Sequence, residues 1–472
     1  MMASVVGTAV RRQLPLARPL ISAGWRSGLR AAAIIFGAAL ALRLVFALIT
    51  ASTFDADEFV ILGLSRAVAH GAMPYRELVF FHPPGALIVF AALQHFVTWW
   101  PAARVLTLAV DSVTAVLVWW IARQVLDRNQ ALIAGLIYAA SPIALISAVR
   151  VGPDPIVTAL AMLGIAVLIS SRSRSAAIGA GLCLALAVWT KYTAVLYVPV
   201  YLLISPRRFP LVAGGWLAGA ACLFAPFFRE LPALVNQTVV WQLQHRPQMH
   251  LDHKLLRVAL YWLALNPLAV IGLWRFRGPR WVTLGFVLGA SFTITAEAYY
   301  HYFAVVVPFA AILGAPVVAP LARRSRWLLP AAALAATCLW AMDVSFGSGR
   351  DRMWVSASRL AQSEQAAGVL EHVTPPNAAV LSDQPQYALL ANRQPALNYF
   401  WNMNALVSAR TLEGRLPELA AVVQTKNGVS YPAGFIDYLA RRHFRSIDTT
   451  RAVVWVTSRP GAPVDIDGTR PG

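Results

Sequence analysis

The sequence of 472 residues has little charge: only 13% of its residues are Asp, Glu, Lys or Arg, while 58% are hydrophobic. Soluble proteins average about 25% charged and about 45–50% apolar residues, so the composition excludes an ordinary soluble enzyme. It also excludes a disordered chain, which would be poor in apolar residues. The few cysteines (Cys183, Cys222 and Cys338) all lie in apolar runs, so no disulfide framework is expected.

Acidic residues are scarcer than basic ones, with 21 Asp and Glu against 40 Lys and Arg, for a net charge of +19. A nucleic-acid-binding face needs its cations clustered on one surface. Here the cations form short clumps between long apolar runs. This pattern is typical of a multi-span membrane protein, with membrane lipids rather than nucleic acid as its surroundings.

The apolar runs predict about eleven transmembrane helices, since about 20 apolar residues cross the hydrocarbon core. The first run follows five arginines and lacks a short apolar region with a cleavage site, so we expect a retained anchor rather than a signal peptide. The predicted spans are 31–51, 103–122, 130–149, 155–170, 176–190, 192–205, 210–228, 255–274, 281–296, 300–320 and 327–346.

The basic clumps predict the orientation, because cytoplasmic loops carry the excess of Lys and Arg. If residues 1–30 form a basic cytoplasmic tail, each even-numbered crossing ends at such a clump. The domain 31–346 then holds the spans and a first outer loop at about 52–102. The apolar segment 85–98 is too short to cross the membrane, and counting it as a span would place every later basic clump outside. It therefore predicts an interfacial or re-entrant helix on the outer face.

The tail 347–472 is polar and mixed, and after eleven crossings it lies outside the membrane. Alternating stretches at 378–382, 420–424 and 452–457 indicate strands, and 384–391 and 432–442 indicate helices. The sequence therefore predicts an all-α polytopic membrane protein with a small C-terminal α/β extracytoplasmic domain.

Four acids lie between residues 52 and 84, directly after the first span. Asp55 to Glu58 would cap a short amphipathic helix that runs to about Val68, with its apolar positions on the membrane. The alternative is that this loop holds a general base at the membrane surface, because a desolvated carboxylate beside a bilayer usually has a function.

At this loop the sequence resembles the membrane glycosyltransferases with the C-type fold, in particular the protein O-mannosyltransferase and aminoarabinose transferase-like group. Each motif is weak alone, but five of them occur in order on the predicted outer side. They are the Asp57–Glu58 pair with the Gly-x-x-Pro-Tyr turn at Gly71–Tyr75, the His-Pro-Pro-Gly element at His82–Gly85, Arg150 with Asp154, Lys191 with Tyr192, and the segment Tyr300–Ala315.

The resemblance implies transfer of a sugar from a polyprenyl-phosphate donor to a glycan, lipid or protein acceptor outside the cell membrane of a bacterium. It implies Asp57 as the base, with Asp55 as the alternative, and Glu58 as an acid that either supports the site from behind or orients the acceptor. Asp154 would be a second acid in the cavity or an N-cap. The residues implied for the donor and its phosphate are His82, Arg150, Lys191, Arg246, His301 and Tyr302.

The loop 229–254 contains three histidines (His245, His250 and His253), but their spacing with Asp252 matches no recognised zinc site. No cofactor is therefore expected, with a divalent metal as the remaining alternative. Phosphate contact, acceptor contact or simple solvation would explain this loop equally well.

Depth alone predicts one ion pair inside the membrane. At 1.5 Å per residue, Arg43 lies roughly 18 Å above the inner end of its span and Asp111 roughly 17 Å above that of the next. An unpaired charge at this depth is costly, so we expect a structural pair.

A transporter or lipid flippase is the alternative to a transferase, but it would place more ionisable residues near the midplane. A scaffold with an exported domain would leave the acid pair unexplained.

Overall fold

The computed structural model is a bundle of apolar helices with a small mixed sheet at one end. It describes residues 25–51, 54–97, 99–244, 255, 267–295 and 300–324, scattered positions between 327 and 338, and, in the C-terminal part, 354–355, 357–376, 378–382, 384–398, 419–425, 431, 435–441, 444–449 and 452–457. The helices up to the middle of the chain are α1 (Trp25–Ile49), α2 (Ala56–Ala69), α3 (Gly85–Phe96), α4 (Pro101–Arg123), α5 (Arg128–Ala140), α6 (Pro142–Ala148), α7 (Asp154–Ser170), α8 (Arg174–Thr190) and α9 (Val198–Ile204). Those that follow are α10 (Phe209–Phe224), α11 (Leu231–Val235), α12 (Trp241–Gln244), α13 (Pro267–Arg275), α14 (Arg280–Thr295) and α15 (Val307–Arg324).

Three helical stretches in the described part are long and apolar enough to cross a membrane on their own: Gly28–Ile49, Pro101–Arg123 and Pro206–Val240. Helices α5 and α6 make a fourth crossing if the 55° bend between them belongs to one broken span. The bend falls at Pro142, which has no N–H to continue the helical hydrogen bonds. Shorter apolar helices fill the rest of the bundle, and the predicted polytopic helical fold is confirmed.

Most predicted spans coincide with helices, including the short segment 85–98, which forms α3. The spans 255–274 and 327–346 lie largely outside the described residues. Small residues let neighbouring helices approach closely, as expected where lipid replaces water. A Cβ on Gly181 would lie 2.1 Å from the carbonyl oxygen of Val212, so α8 and α10 can pack this tightly only with glycine there.

Helix α2 begins with a capping box, in which Asp55 accepts from the Asp57 amide and Glu58 accepts from the Asp55 amide. The expectation that its apolar positions lie on the membrane is wrong. Phe59, Leu62 and Leu64 are almost completely buried inside the protein. They pack against α3, the start of α4 and the C-terminal part of the chain, so α2 is an interior helix rather than a surface one.

The C-terminal part contains a five-stranded sheet, in agreement with the predicted small α/β unit. Its strands, β3 (Ala379–Ser382), β4 (Gln394–Asn398), β5 (Ala421–Thr425), β6 (Phe444–Asp448) and β7 (Ala452–Thr457), lie in the order β4-β3-β5-β7-β6. Strands β3, β4 and β5 are parallel, while β7 runs antiparallel to both β5 and β6. The helices of this unit are α16 (Ala357–Val373), α17 (Pro385–Leu390) and α18 (Phe435–Arg441). Alternate residues of β3 face opposite sides, with Val380 packed toward α16 and α17 and Leu381 toward α18.

This α/β unit contacts helix α2 at both ends. Before α2, strand β1 (Phe54–Asp55) pairs antiparallel with β2 (Trp354–Val355). At the other end, the Arg66 guanidinium donates to the carbonyl oxygen of Leu389 across 3.4 Å. Helix α2 is therefore fixed between the bundle and the C-terminal unit.

Candidate active site

Most of the site residues that the sequence singled out, where the structure describes them, lie at the end of the bundle that carries the α/β unit, called the site end below. Five segments contribute: the start of α2, the loop before α3, the turn before α7, the residues after α8, and the helical turn Tyr300–Phe303. Far apart in the sequence, they converge because α4 and α7 begin at this end and α8 finishes there.

In the part of the chain that the structure describes, the carboxylate of Asp57 at the site end makes no structural contact. Its amide serves the helix cap, and no ion pair within 4 Å or side-chain hydrogen bond involves its carboxylate among the described residues. Burial raises the pKa of Asp57 from 3.8 to about 6, an effect that Lys191 opposes and that Asp154 and Glu58 reinforce. A carboxylate with this pKa is ionised at neutral pH and still able to accept a proton.

Glu58, for which either a supporting or an acceptor-orienting role was expected, is held by two arginines and two backbone amides. Arg104 of α4 donates to both of its oxygens, at 2.7 and 2.8 Å, and Arg150 donates across 3.3 Å. The amides of Asp55 and Val151 complete the set at 2.9 and 3.0 Å. Burial alone would raise the pKa of Glu58, but the two guanidinium groups outweigh it and hold the pKa below its usual value. Glu58 thus ties α2 to helix α4 and to the loop between α6 and α7.

Asp154 and Lys191 form a buried ion pair. The Lys191 ammonium donates to the Asp154 oxygens at 2.8 and 3.0 Å and lies 5.4 Å from the ring centre of Tyr302. Asp154 therefore does not cap α7, whose N-cap residue, Pro153, has no side chain able to accept a hydrogen bond. Arg150, which the resemblance implied for the donor, forms an ion pair with Glu58.

His82 and His301 lie near this lysine and are uncharged at neutral pH. Burial lowers the pKa of His82 to about 3, and the neighbouring Lys191 lowers it further. Burial and Lys191 likewise lower the pKa of His301 well below its usual value. Both imidazoles can therefore offer a hydrogen bond to a phosphate, whereas the positive charge comes from Lys191.

Gly85 explains why the Pro-Pro element ends in glycine. A Cβ at this position would lie 2.7 Å from the carbonyl oxygen of Trp189 and 2.8 Å from the Cα of Thr190. The start of α3 thus rests directly on the end of α8, one residue before Lys191. The absence of a side chain brings the His82 loop and Lys191 together.

Arg43 and Asp111, the pair inferred from depth, form a salt bridge inside the bundle. The Arg43 Nε donates to Asp111 across 2.8 Å, and the Tyr138 hydroxyl donates to the other carboxylate oxygen across 2.6 Å. Arg43 also donates to the carbonyl oxygens of Ala39 and Ala139. This network is buried and saturated, as a structural pair at this depth must be.

Some sequence candidates lie outside the described residues, namely Arg246 and the three histidines of the loop 229–254. Within the described part, no three His, Cys, Asp or Glu side chains converge as a metal site would require.

Sequence reasoning missed Arg104, Gln237 and Thr238. Arg104 carried a signal, because a cation at the outer start of a span goes against the charge rule that placed the other arginines inside. Gln237 and Thr238 carried none, since a neutral polar pair in an apolar stretch is ordinary. In the structure, Gln237 contacts the loop that leads to His82, and Thr238 contacts Tyr192, which directly follows Lys191.

This fold is that of a C-type membrane glycosyltransferase, and the resemblance seen in the motifs is confirmed. The family model for dolichyl-phosphate-mannose-protein mannosyltransferase matches residues 81–229, the stretch that runs from before His82 to beyond Lys191. No curated protein sequence matches the chain.

Solved structures resemble the whole architecture. ArnT from Cupriavidus metallidurans bound to undecaprenyl phosphate matches with a TM-score of 0.62 and 15% identity, over 92% of this chain and 98% of that one. Its apo form matches with a TM-score of 0.61 and 13% identity, over 88% and 96% of the two chains. The oligosaccharyltransferase of Archaeoglobus fulgidus, tethered to an acceptor peptide, matches at 0.49 with 11% identity, over 90% and 75%.

Proposed function

We propose that the protein transfers a sugar from a polyprenyl-phosphate donor to an acceptor at the outer face of the cell membrane, with Asp57 as general base. The observation that carries this proposal is the arrangement of charge at the site end. An unpaired carboxylate with a raised pKa lies beside a buried lysine and two neutral histidines. The fold shared with ArnT, which has been solved with undecaprenyl phosphate, supports the donor class.

The chemistry follows from these groups. Asp57 accepts the proton of the acceptor nucleophile, which forms a new bond to the anomeric carbon of the sugar. The bond between that carbon and the phosphate oxygen breaks, and the lipid phosphate leaves with the electron pair. Lys191 supplies the charge that stabilises the leaving phosphate, and His82 and His301 supply hydrogen bonds. Attack opposite the leaving group inverts the configuration of the sugar.

The contacts of Asp55 favour Asp57 as the base, because the Asp55 carboxylate already caps α2. Its carboxylate is almost fully buried and caps α2, and its backbone belongs to strand β1. A capping carboxylate that already accepts backbone hydrogen bonds is a poor general base. Asp57, two residues later, has its carboxylate available.

The orientation of the protein is part of the same proposal. Basic residues crowd the loops at the opposite end of the bundle, for example Arg208, which donates to the carbonyl oxygens of Leu168 and Ser171 at the end of α7. The positive-inside rule then places the site end and the α/β unit outside. A flippase is the alternative, but the charged groups of Arg43 and Asp111 inside the bundle pair with each other.

The test is sugar transfer by purified protein in vesicles supplied with polyprenyl-phosphate sugars. We expect Asp57→Asn to lower the rate at least about a hundredfold, within the 10²–10⁴ range of general-base catalysis. Asp127→Asn is the matched control, because Asp127 caps α5 at the other end and asparagine caps equally well. Full activity of Asp57→Asn would refute the base assignment, and a wild-type protein inactive with every donor would refute the function.

A further inference from the structure

A π-helical turn, Asn236–Val240, lies between α11 and α12 at the site end. Such turns are rare and occur frequently at functional sites. Two consecutive side chains of this turn, Gln237 and Thr238, contact two loops that are remote from each other in the sequence. One loop leads to His82 and the other begins at Lys191.

Gln237 uses both ends of its amide on the first loop. Its oxygen accepts from the Phe80 amide across 3.0 Å, and its nitrogen donates to the Tyr75 carbonyl across 3.2 Å. The side chain therefore spans the turn from Tyr75 to Phe80. Because it closes the turn with one donor and one acceptor, only a residue that can do both will replace it.

That turn is strained and is connected directly to His82. Tyr75 has a φ of +69°, a left-handed conformation that is unfavourable for a bulky residue and persists only when its surroundings impose it. Its amide donates to the Leu78 carbonyl across 2.8 Å, and its hydroxyl donates to the His82 carbonyl across 2.8 Å. The contact of Gln237 with Tyr75 thus fixes the backbone that carries His82.

Thr238 holds the second loop. Its hydroxyl donates to the Leu234 carbonyl across 2.8 Å, so the Tyr192 hydroxyl is the donor in the 3.0 Å contact between the two side chains. Tyr192 directly follows Lys191. Four residues after Gln237, Trp241 stacks on Phe81 with ring centres 3.9 Å apart, which adds an apolar contact to the same loop.

We infer that Gln237 is a positioning residue for the donor phosphate, because it holds the His82 loop on the π-helical turn that also holds the Lys191 loop. The inference rests on the proposed function and names a residue for its donor half. Gln237 does not touch the phosphate in this picture. It sets the position of His82 relative to Lys191, while the Asp57 half of the site is built from other contacts.

The experiment compares Gln237→Met and Gln237→Glu with the control Asn236→Ala, whose side chain is exposed on the same turn. The probe is undecaprenyl phosphate, titrated into purified full-length protein at pH 5 and pH 8, followed by donor KM and kcat. We expect Gln237→Met to weaken binding about tenfold and raise donor KM by a similar factor, the effect of losing one to two hydrogen bonds. The acid limb of kcat near pH 6 should stay as in wild type, because the contacts around Asp57 are unchanged.

Gln237→Glu separates positioning from a general loss of structure. When protonated, its carboxyl group still accepts from Phe80 and donates to Tyr75, but when ionised it cannot donate. The Tyr75 carbonyl oxygen disfavours an ionised group beside it, so the introduced carboxyl should have a pKa above the usual Glu value of about 4.3. We therefore expect its affinity, relative to wild type at the same pH, to recover at pH 5 and to fall at pH 8. Should Gln237→Met not fold, this variant carries the test alone.

The outcomes are distinct. If wild type binds undecaprenyl phosphate and both Gln237 variants bind equally well at both pH values, the inference is overturned and the proposed function stands. A fall in kcat without a change in donor affinity overturns it as well. If wild type binds no undecaprenyl phosphate and transfers no sugar, the proposed function fails and the inference fails with it.

Discussion

Replacing Asp57 with asparagine changes both the chemistry and the electrostatics of the site, and the two effects have opposite signs. The exchange removes the proposed general base, which should lower activity. It also removes a charge from an unfavourable environment, since burial raises the pKa of Asp57 to about 6. We therefore expect a variant that is inactive and at the same time more stable than wild type at neutral pH.

The stability effect follows from the pKa. The folded protein holds the Asp57 proton more tightly than the unfolded chain, whose Asp pKa is 3.8. Folding stability therefore falls as the pH rises through this interval, and the full cost is present above about pH 6. At 1.36 kcal/mol for each pKa unit the cost is about 3 kcal/mol. Because the side chain keeps partial exposure, we discount this to about 1–2 kcal/mol.

The assay is thermal unfolding in detergent at pH 8 and at pH 4.5, together with sugar transfer across the same range. The Tm of Asp57→Asn should exceed that of wild type at pH 8, and the difference should shrink at pH 4.5. Wild-type activity should fall on the acid side with a midpoint near pH 6. A variant that is less stable than wild type at pH 8, or an acid limb near pH 4, would refute the reasoning about the carboxylate.

Three further changes test the contacts around the site. Gly85→Ala should lower the rate of sugar transfer about tenfold or more by forcing α3 away from α8. The control is Gly152→Ala, where a Cβ meets open space and the rate should not change, so the two transfer rates are measured side by side. Asp111→Asn should destabilise the protein by about 3–5 kcal/mol by leaving Arg43 without its counter-charge, and replacing both residues with leucine or methionine should restore most of the melting temperature. Arg104→Lys should fold but lose part of its activity, since an ammonium cannot reproduce the bidentate contact with the carboxylate; unchanged kinetics would contradict this role.

The overall fold was largely predictable because its signals are local. Runs of apolar residues specify the helices wherever the chain crosses, and alternation in the C-terminal part specified β3, β5 and β7. Strands β4 and β6 were not predicted, because Gln394–Asn398 and Phe444–Asp448 lack a clear alternation and pair only at the sheet edges. The environment of α2 was mispredicted, since an amphipathic pattern looks the same whether lipid or protein covers its apolar face.

The candidate site was likewise predictable in one part and not in another. Ionisable residues at span ends could be named from the sequence, because charge beside a membrane is unusual. Their partners could not, and so Arg150 was associated with Asp154 when it contacts Glu58. The partners depend on which helix ends meet, and that depends on close approaches such as the one at Gly85. Neutral contacts such as those of Gln237 leave no trace in composition or charge.

The pairing of strand β1 with β2 has a consequence for biosynthesis. About 300 residues separate Asp55 from its strand partner Trp354, and Arg66 from the Leu389 carbonyl that it binds. During translation, the segment with the reactive carboxylate therefore emerges long before the chain that secures it exists. A nascent chain that ends after α8 would hold the contacts between α4 and α7 and between α7 and α8, and would still lack the strand and the carbonyl group that secure α2. Completion of the proposed site would then coincide with synthesis of about the last 120 residues rather than with insertion of the spans.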